Sequence, residues 1–111
     1  MFLKLFSGSK VNEFARDLAQ DIAKRYPPSI ANNPEQMVSV NRLTSILEEA
    51  FGKAADFQRE QKLGWYSRAR LVNEFQWKLK EIGYEKKFVD LATEGLLVNV
   101  TRGPSAVPRS S

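Results

Sequence analysis

The chain has 111 residues, 42% of them hydrophobic and 27% charged, with a formal net charge of +4 and neither cysteine nor histidine. That length supports one domain around one core, and the composition excludes a wholly disordered chain. The two missing residue types exclude disulfides, thiolate chemistry, the usual general base near neutral pH and the commonest transition-metal ligand.

An enzyme built from this chain has to work with carboxylates, lysine, tyrosine or serine alone. FSGSK at 6–10 falls far short of a phosphate-binding loop. Asp17 and Asp21, one turn apart, supply too few oxygens for a shaped magnesium or calcium site. The expectation is therefore a non-enzymatic protein with no cofactor and no metal. No stretch approaches the roughly 18–20 apolar residues of a membrane span. The start, MFLKLFSGS, lacks the apolar run of a signal peptide, so the protein is expected to be cytoplasmic.

The first periodic segment spans 9–25. Val11, Phe14, Ala15, Leu18, Ala19 and Ile22 recur at helical spacing, while Glu13, Arg16, Asp17, Gln20, Asp21 and Lys24 fill the other face. Ser9 suits the N-cap. Pro27-Pro28 ends the helix, because proline lacks the N–H and restricts the residue before it. Upstream, Phe2, Leu3, Leu5 and Phe6 are expected to pack on the bundle; beside one lysine they make only a weak membrane anchor.

PPSIANNP then reads as a loop, with Asn33-Pro34 as a helix start. The second long helix is expected over 38–62, with Leu43, Ile46, Leu47, Ala50, Phe51, Ala54 and Phe57 as its apolar stripe. Glu48, Glu49, Lys53, Asp56, Arg59 and Glu60 face away, and Glu49 with Lys53 has the favourable i,i+4 order. Gly64 reads as a C-cap that breaks the chain before a third helix over 65–82, itself closed by Gly83.

A fourth helix over 84–94 carries Phe88, Val89, Leu91 and Ala92, with Gly95 as its cap or a kink. LLVNV at 96–100 is a further helical turn or a short strand. A lone strand has nothing to pair with, which favours helix or extended packing. From Gly103 the tail GPSAVPRSS is expected to be disordered. VNEF occurs at 11–14 and again at 72–75, but the similarity stops at one helix, so convergence of two amphipathic helices is the simpler account.

Along the sequence the charge is close to balanced; Arg102 and Arg109 alone supply half of the excess. The densest chemistry lies at 63–84, LGWYSRARLVNEFQWKLKEIGY. On a helix of 100° per residue, Leu71, Phe75, Leu79 and Ile82 share one arc, with Val72 at its margin. Arg68 falls in the middle of that arc and is expected to reach water along its stem from the helix's first turn.

Trp77 points the other way. Tyr66 lies within about 20° of it although roughly 16 Å away along the axis, and Arg70, Asn73, Lys80 and Glu81 flank it. A second face of this kind serves one of three ends: packing under the chain's own FLKLF or LLVNV, a partner protein, or stacking and phosphate contact with nucleic acid.

The expected fold is therefore all-α, a small single-domain bundle of three to four helices with a body of residues 1–101 and a disordered tail of 102–111. The expected function is binding to a protein partner, or self-association as a homo-oligomer, through Tyr66, Arg70, Asn73, Trp77 and Lys80. Nucleic-acid binding on the same face is the alternative, weakened by the scattered charge.

Overall fold

The computed structural model describes residues 2–33 and 40–102, with side chains described over 10–33 and 41–101. Among these residues the protein is all-α: α1 (Phe2–Arg25), a single turn α2 (Pro28–Ala31), α3 (Val40–Glu60), α4 (Trp65–Ile82) and α5 (Lys86–Arg102). The expected helix start at Asn33-Pro34, the expected α3 residues Val38 and Ser39, and the tail 103–111 lie wholly or partly outside the described residues, as do the side chains of Phe2, Leu3, Leu5 and Phe6. No helix among the described residues is long and apolar enough to cross a membrane.

α1 starts seven residues before the expected N-cap, so Ser9 sits inside the helix. No proline interrupts this region, and Gly8 costs only about 1 kcal/mol in a helix interior. α1 stops at Arg25, just before Pro27-Pro28, as the prolines require. α4 matches the expected 65–82, and Gly83 caps it in the left-handed region at φ 117°, donating its N–H to the carbonyls of Leu79 and Lys80.

The break before α4 is made differently from the expectation. Gly64 has φ −78° and is the N-cap of α4, not the C-cap of α3. The left-handed residue is Lys62, φ 53°, and the Leu63 N–H reaches back to the Gln58 carbonyl at 3.0 Å. That bond is the outer one of a Schellman turn. Leu63 packs against the core, and this apolar contact draws the turn two residues earlier than glycine alone suggests.

α5 runs past Gly95 to Arg102, so 96–100 is helix. Val89, Ala92, Leu96 and Val100, each at 0% exposure, form one apolar row down it. Leu91, on the same helix as Phe88 and Val89, stands 53% exposed.

α1 touches α4 and α3, and α5 touches the same two. The helices α3 and α4, consecutive in the chain, therefore occupy opposite corners of the bundle. Arg70 meets Asn12 and Tyr84 meets Tyr26, both 58 positions apart, so α1 and α4 run in the same direction. Phe14 stacks on Phe57 with ring centroids 4.0 Å apart, and Arg25 meets Glu49, so α3 runs against α1. Leu71, Phe75, Leu79, Val11, Ile22, Leu96 and their neighbours fill the space between.

The charges between α1 and α3 pair across helices. Arg25 Nη2 donates to Glu49 Oε1 at 2.6 Å, and Lys53 Nζ lies 3.5 Å from Asp21 Oδ2. Glu49 and Lys53 thus serve α1 rather than each other, and the Asp21 carboxylate is occupied by cations. The hydrogen bond to Glu49 raises the pKa of the Arg25 guanidinium further. These groups are a third or more exposed, so solvent screens both pairs and each adds little to stability.

Gly95 faces α3. A Cβ added there would lie 2.5 Å from the nearest carbon of the Phe51 ring. Gly95→Ala is expected to cost up to about 2 kcal/mol, overpacking of about 1–3 set against about 1 gained in helix propensity. With Phe51→Ala in place, the same change is expected to stabilise by up to about 1 kcal/mol. Urea denaturation of the four proteins checks this; equal effects in both backgrounds would mean that the Phe51 ring moves aside freely.

Candidate functional site

The two faces of α4 separate cleanly. Leu71, Val72, Phe75 and Leu79 are buried, while Trp77 is 62% exposed and Tyr66 is 64% exposed. Arg68, in the helix's first turn, is half-buried and makes no ion pair among the described residues. Residues 96–100 do not cover Trp77, since Leu96 and Val100 point into the core.

The parallel packing of α1 and α4 builds a seam along this outer face. Near its start, the Arg70 Nε–H donates to Asn12 Oδ1 at 3.1 Å and Arg70 Nη1 donates to the Tyr66 hydroxyl at 3.4 Å. Arg70 thereby ties the phenol ring to α1. Tyr66, Ala69, Arg70, Asn73 and Glu74 line an open groove of about 330 Å³. Further along, Arg16, Glu74, Trp77, Lys80 and Glu81 line a second one of about 540 Å³. Glu74 belongs to both and joins them end to end.

Lys80 Nζ lies 5.8 Å from the centroid of the Trp77 ring. That is a cation–π contact, worth about 0.5–1 kcal/mol at an exposed site. It orients the indole without burying it. Glu81 is paired with Lys78 at 3.5 Å, so it does not neutralise Lys80.

All five residues expected at the site, Tyr66, Arg70, Asn73, Trp77 and Lys80, therefore fall on one continuous surface. Besides Ala69, Glu74 and Glu81 of the groove linings, Asn12, Arg16 and Trp65 belong to it. Asn12 and Arg16 come from α1, and no pattern within α4 points to them, because only the packing of the two helices brings them together. Trp65, 76% exposed, meets Tyr66 edge to face with ring centroids 6.3 Å apart. It lies about 120° from Trp77 on the helical wheel, so angular grouping leaves it out, but its place in the first turn carries it into water beside Tyr66.

The surface offers large apolar rings, two primary amides, three cations and two carboxylates, Glu74 at the joint and Glu81 in the second groove. Among the described residues no cluster of three or more acidic side chains is placed to hold a metal ion. No known protein family, curated protein or solved structure matches the chain at a significant level.

Proposed function

We propose that this protein works by docking another protein, or a second copy of itself, on the outer face of α4 along its seam with α1. The observation that carries this reading is the exposure of Trp77 in a bundle whose core is filled without it. Single exposed apolar residues are ordinary on a soluble protein. Here three aromatic rings share one helix with Arg70 and Lys80, and Trp, Tyr and Arg are the residues that most often dominate protein interfaces. Each buries a large area at low entropic cost and keeps a polar handle for orientation.

Trp77→Ala is expected to leave the thermal midpoint within about 2 °C, the scale of an ordinary surface substitution, while abolishing association. A photo-cross-linking amino acid placed at position 77 is expected to give a discrete adduct. The same residue at Glu48, exposed on α3, is expected to give none. An adduct of twice the chain's mass identifies a second copy as the occupant. A fall in midpoint of many degrees in the alanine variant, or indistinguishable adducts from the two positions, would remove the reading.

A further inference from the structure

We infer that the occupant of this face is an acidic amphipathic segment of a partner protein, laid along α4 for about three helical turns. This rests on the docking role proposed above. Among the described side chains, α1 and α4 carry eight cations against five acids, whereas α3 and α5 carry five against six. The imbalance invisible along the sequence is thus gathered in space on the helix pair that bears the aromatic seam.

It sharpens once internal pairs are set aside. Arg25 and Asp21 are engaged with Glu49 and Lys53 of α3, and Lys78 is engaged with Glu81. What remains on α1 and α4 is Lys10, Arg16, Lys24, Arg68, Arg70 and Lys80 against Glu13, Asp17 and Glu74. None of these six cations is in an ion pair among the described residues, and Arg16, Arg70 and Lys80 stand directly on the seam. Cations left free beside exposed rings favour a partner with apolar anchors and carboxylates between them.

The geometry sets the length. Tyr66 and Trp77 are eleven residues apart, roughly 16 Å along α4. A helix seated across both grooves spans that distance in about three turns, the usual way an amphipathic helix meets a groove. A second copy docking by the same face around a two-fold axis would set the cation excess against itself. A nucleic-acid backbone running the length of the seam would meet Glu74 at the joint of the two grooves, where carboxylate and phosphate repel. A peptide can bring an N–H or a side-chain donor to that carboxylate.

The test uses the full chain and three fluorescent probes. One is a peptide of about twenty residues with leucines at helical spacing and glutamates elsewhere. The second has every glutamate replaced by glutamine. The third is a single-stranded oligothymidine of similar length. Anisotropy at low salt is expected to show the glutamate peptide binding at least about tenfold more tightly than either other probe, and weakening as salt rises. R16E combined with K80E is expected to weaken it by a further tenfold or more, with an unchanged circular dichroism spectrum.

Equal binding of the glutamine peptide, tighter binding of the oligothymidine, or no binding of the glutamate peptide up to millimolar concentration would overturn the acidic partner. Those results would leave the docking face itself standing. An unchanged affinity of the glutamate peptide for Trp77→Ala would instead remove that face as the site.

Discussion

Phe75→Ala is expected to destabilise the protein by about 3–5 kcal/mol, the range found when a buried aromatic ring is cut back to a methyl group. Phe75 is the largest of the side chains that are fully buried, at 0% exposure, and it sits in the cluster formed by α1, α3, α4 and α5. Its removal deletes the transfer energy of the ring and leaves a cavity that four packed helices close only partly. Against a total stability of about 5–15 kcal/mol for a domain of this kind, that is a large fraction. The thermal midpoint is expected to fall by roughly 15 °C or more.

Phe75→Leu, which keeps most of the volume, is expected to cost less than about 1.5 kcal/mol. Calorimetry or urea denaturation of the two variants checks both values. Trp77 lies two residues further on and about 200° round the same helix. The pair therefore reads out the two faces of α4 independently: loss at 75 lowers stability, and loss at 77 takes docking alone. A cost below about 1 kcal/mol for Phe75→Ala would contradict the packing of α4 described above.

What the sequence shows and what it conceals divide by the range of the cause. The face of α4 is legible because a helix fixes the angles among its own residues: Leu71, Phe75 and Leu79 are assigned inward and Tyr66, Asn73 and Trp77 outward from 3.6-residue periodicity alone. The Gly83 cap is legible for a similar reason, since only a left-handed residue ends that helix so sharply and glycine adopts it freely. The Lys62 turn is not, because the position of the left-handed residue is decided by Leu63 finding the core, a tertiary contact. α5 is shortened in the sequence reading by Gly95. That glycine is retained inside a helix because the Phe51 ring occupies the space of its side chain, and no local propensity carries that information.

The seam is the larger omission. Asn12 and Arg16 look like any solvated positions on α1 until the parallel register brings them to Arg70 and Trp77. Charge behaves in the same way. Counted along the chain it is nearly even, and the excess appears when α1 is placed beside α4; withdrawing the paired charges leaves that excess of three unchanged and raises only the ratio of cations to acids. The weak case for an electrostatic partner made from the sequence thus reflects one-dimensional counting. The specific proposal of an acidic occupant needed the folded arrangement.

That arrangement depends on a latch at the far end of the bundle, and Tyr84 is the residue to test there. Its ring packs on Phe88 at 4.5 Å, it is only 6% exposed, and its hydroxyl donates to the Tyr26 carbonyl just past α1. Beside it Asn32 bridges the same turn, donating to the Gly83 carbonyl at 2.9 Å and accepting the Glu85 N–H at 3.1 Å. Tyr84 thus joins the end of α1 to the turn between α4 and α5 and helps set the register that brings Arg16 to Trp77. Tyr84→Phe leaves the Tyr26 carbonyl without this donor and is expected to cost about 1–3 kcal/mol near neutral pH.

The pH dependence gives that prediction a signature that a simple packing loss lacks. Burial, with a smaller contribution from Tyr26, pushes the Tyr84 phenol up from 10.0 to about 12. The folded state therefore holds the proton more tightly than the unfolded chain does. The associated stability is fully present below the unfolded value near pH 10 and is lost as pH rises through about 12. Two units of difference correspond to about 2–3 kcal/mol. The phenylalanine variant has no such group. Urea midpoints measured from pH 8 to 12 are therefore expected to start apart and converge as the wild-type protein loses its advantage. A constant gap across that range would mean that the Tyr84 hydroxyl reaches solvent, and with it the latch between α1 and α4 would be gone.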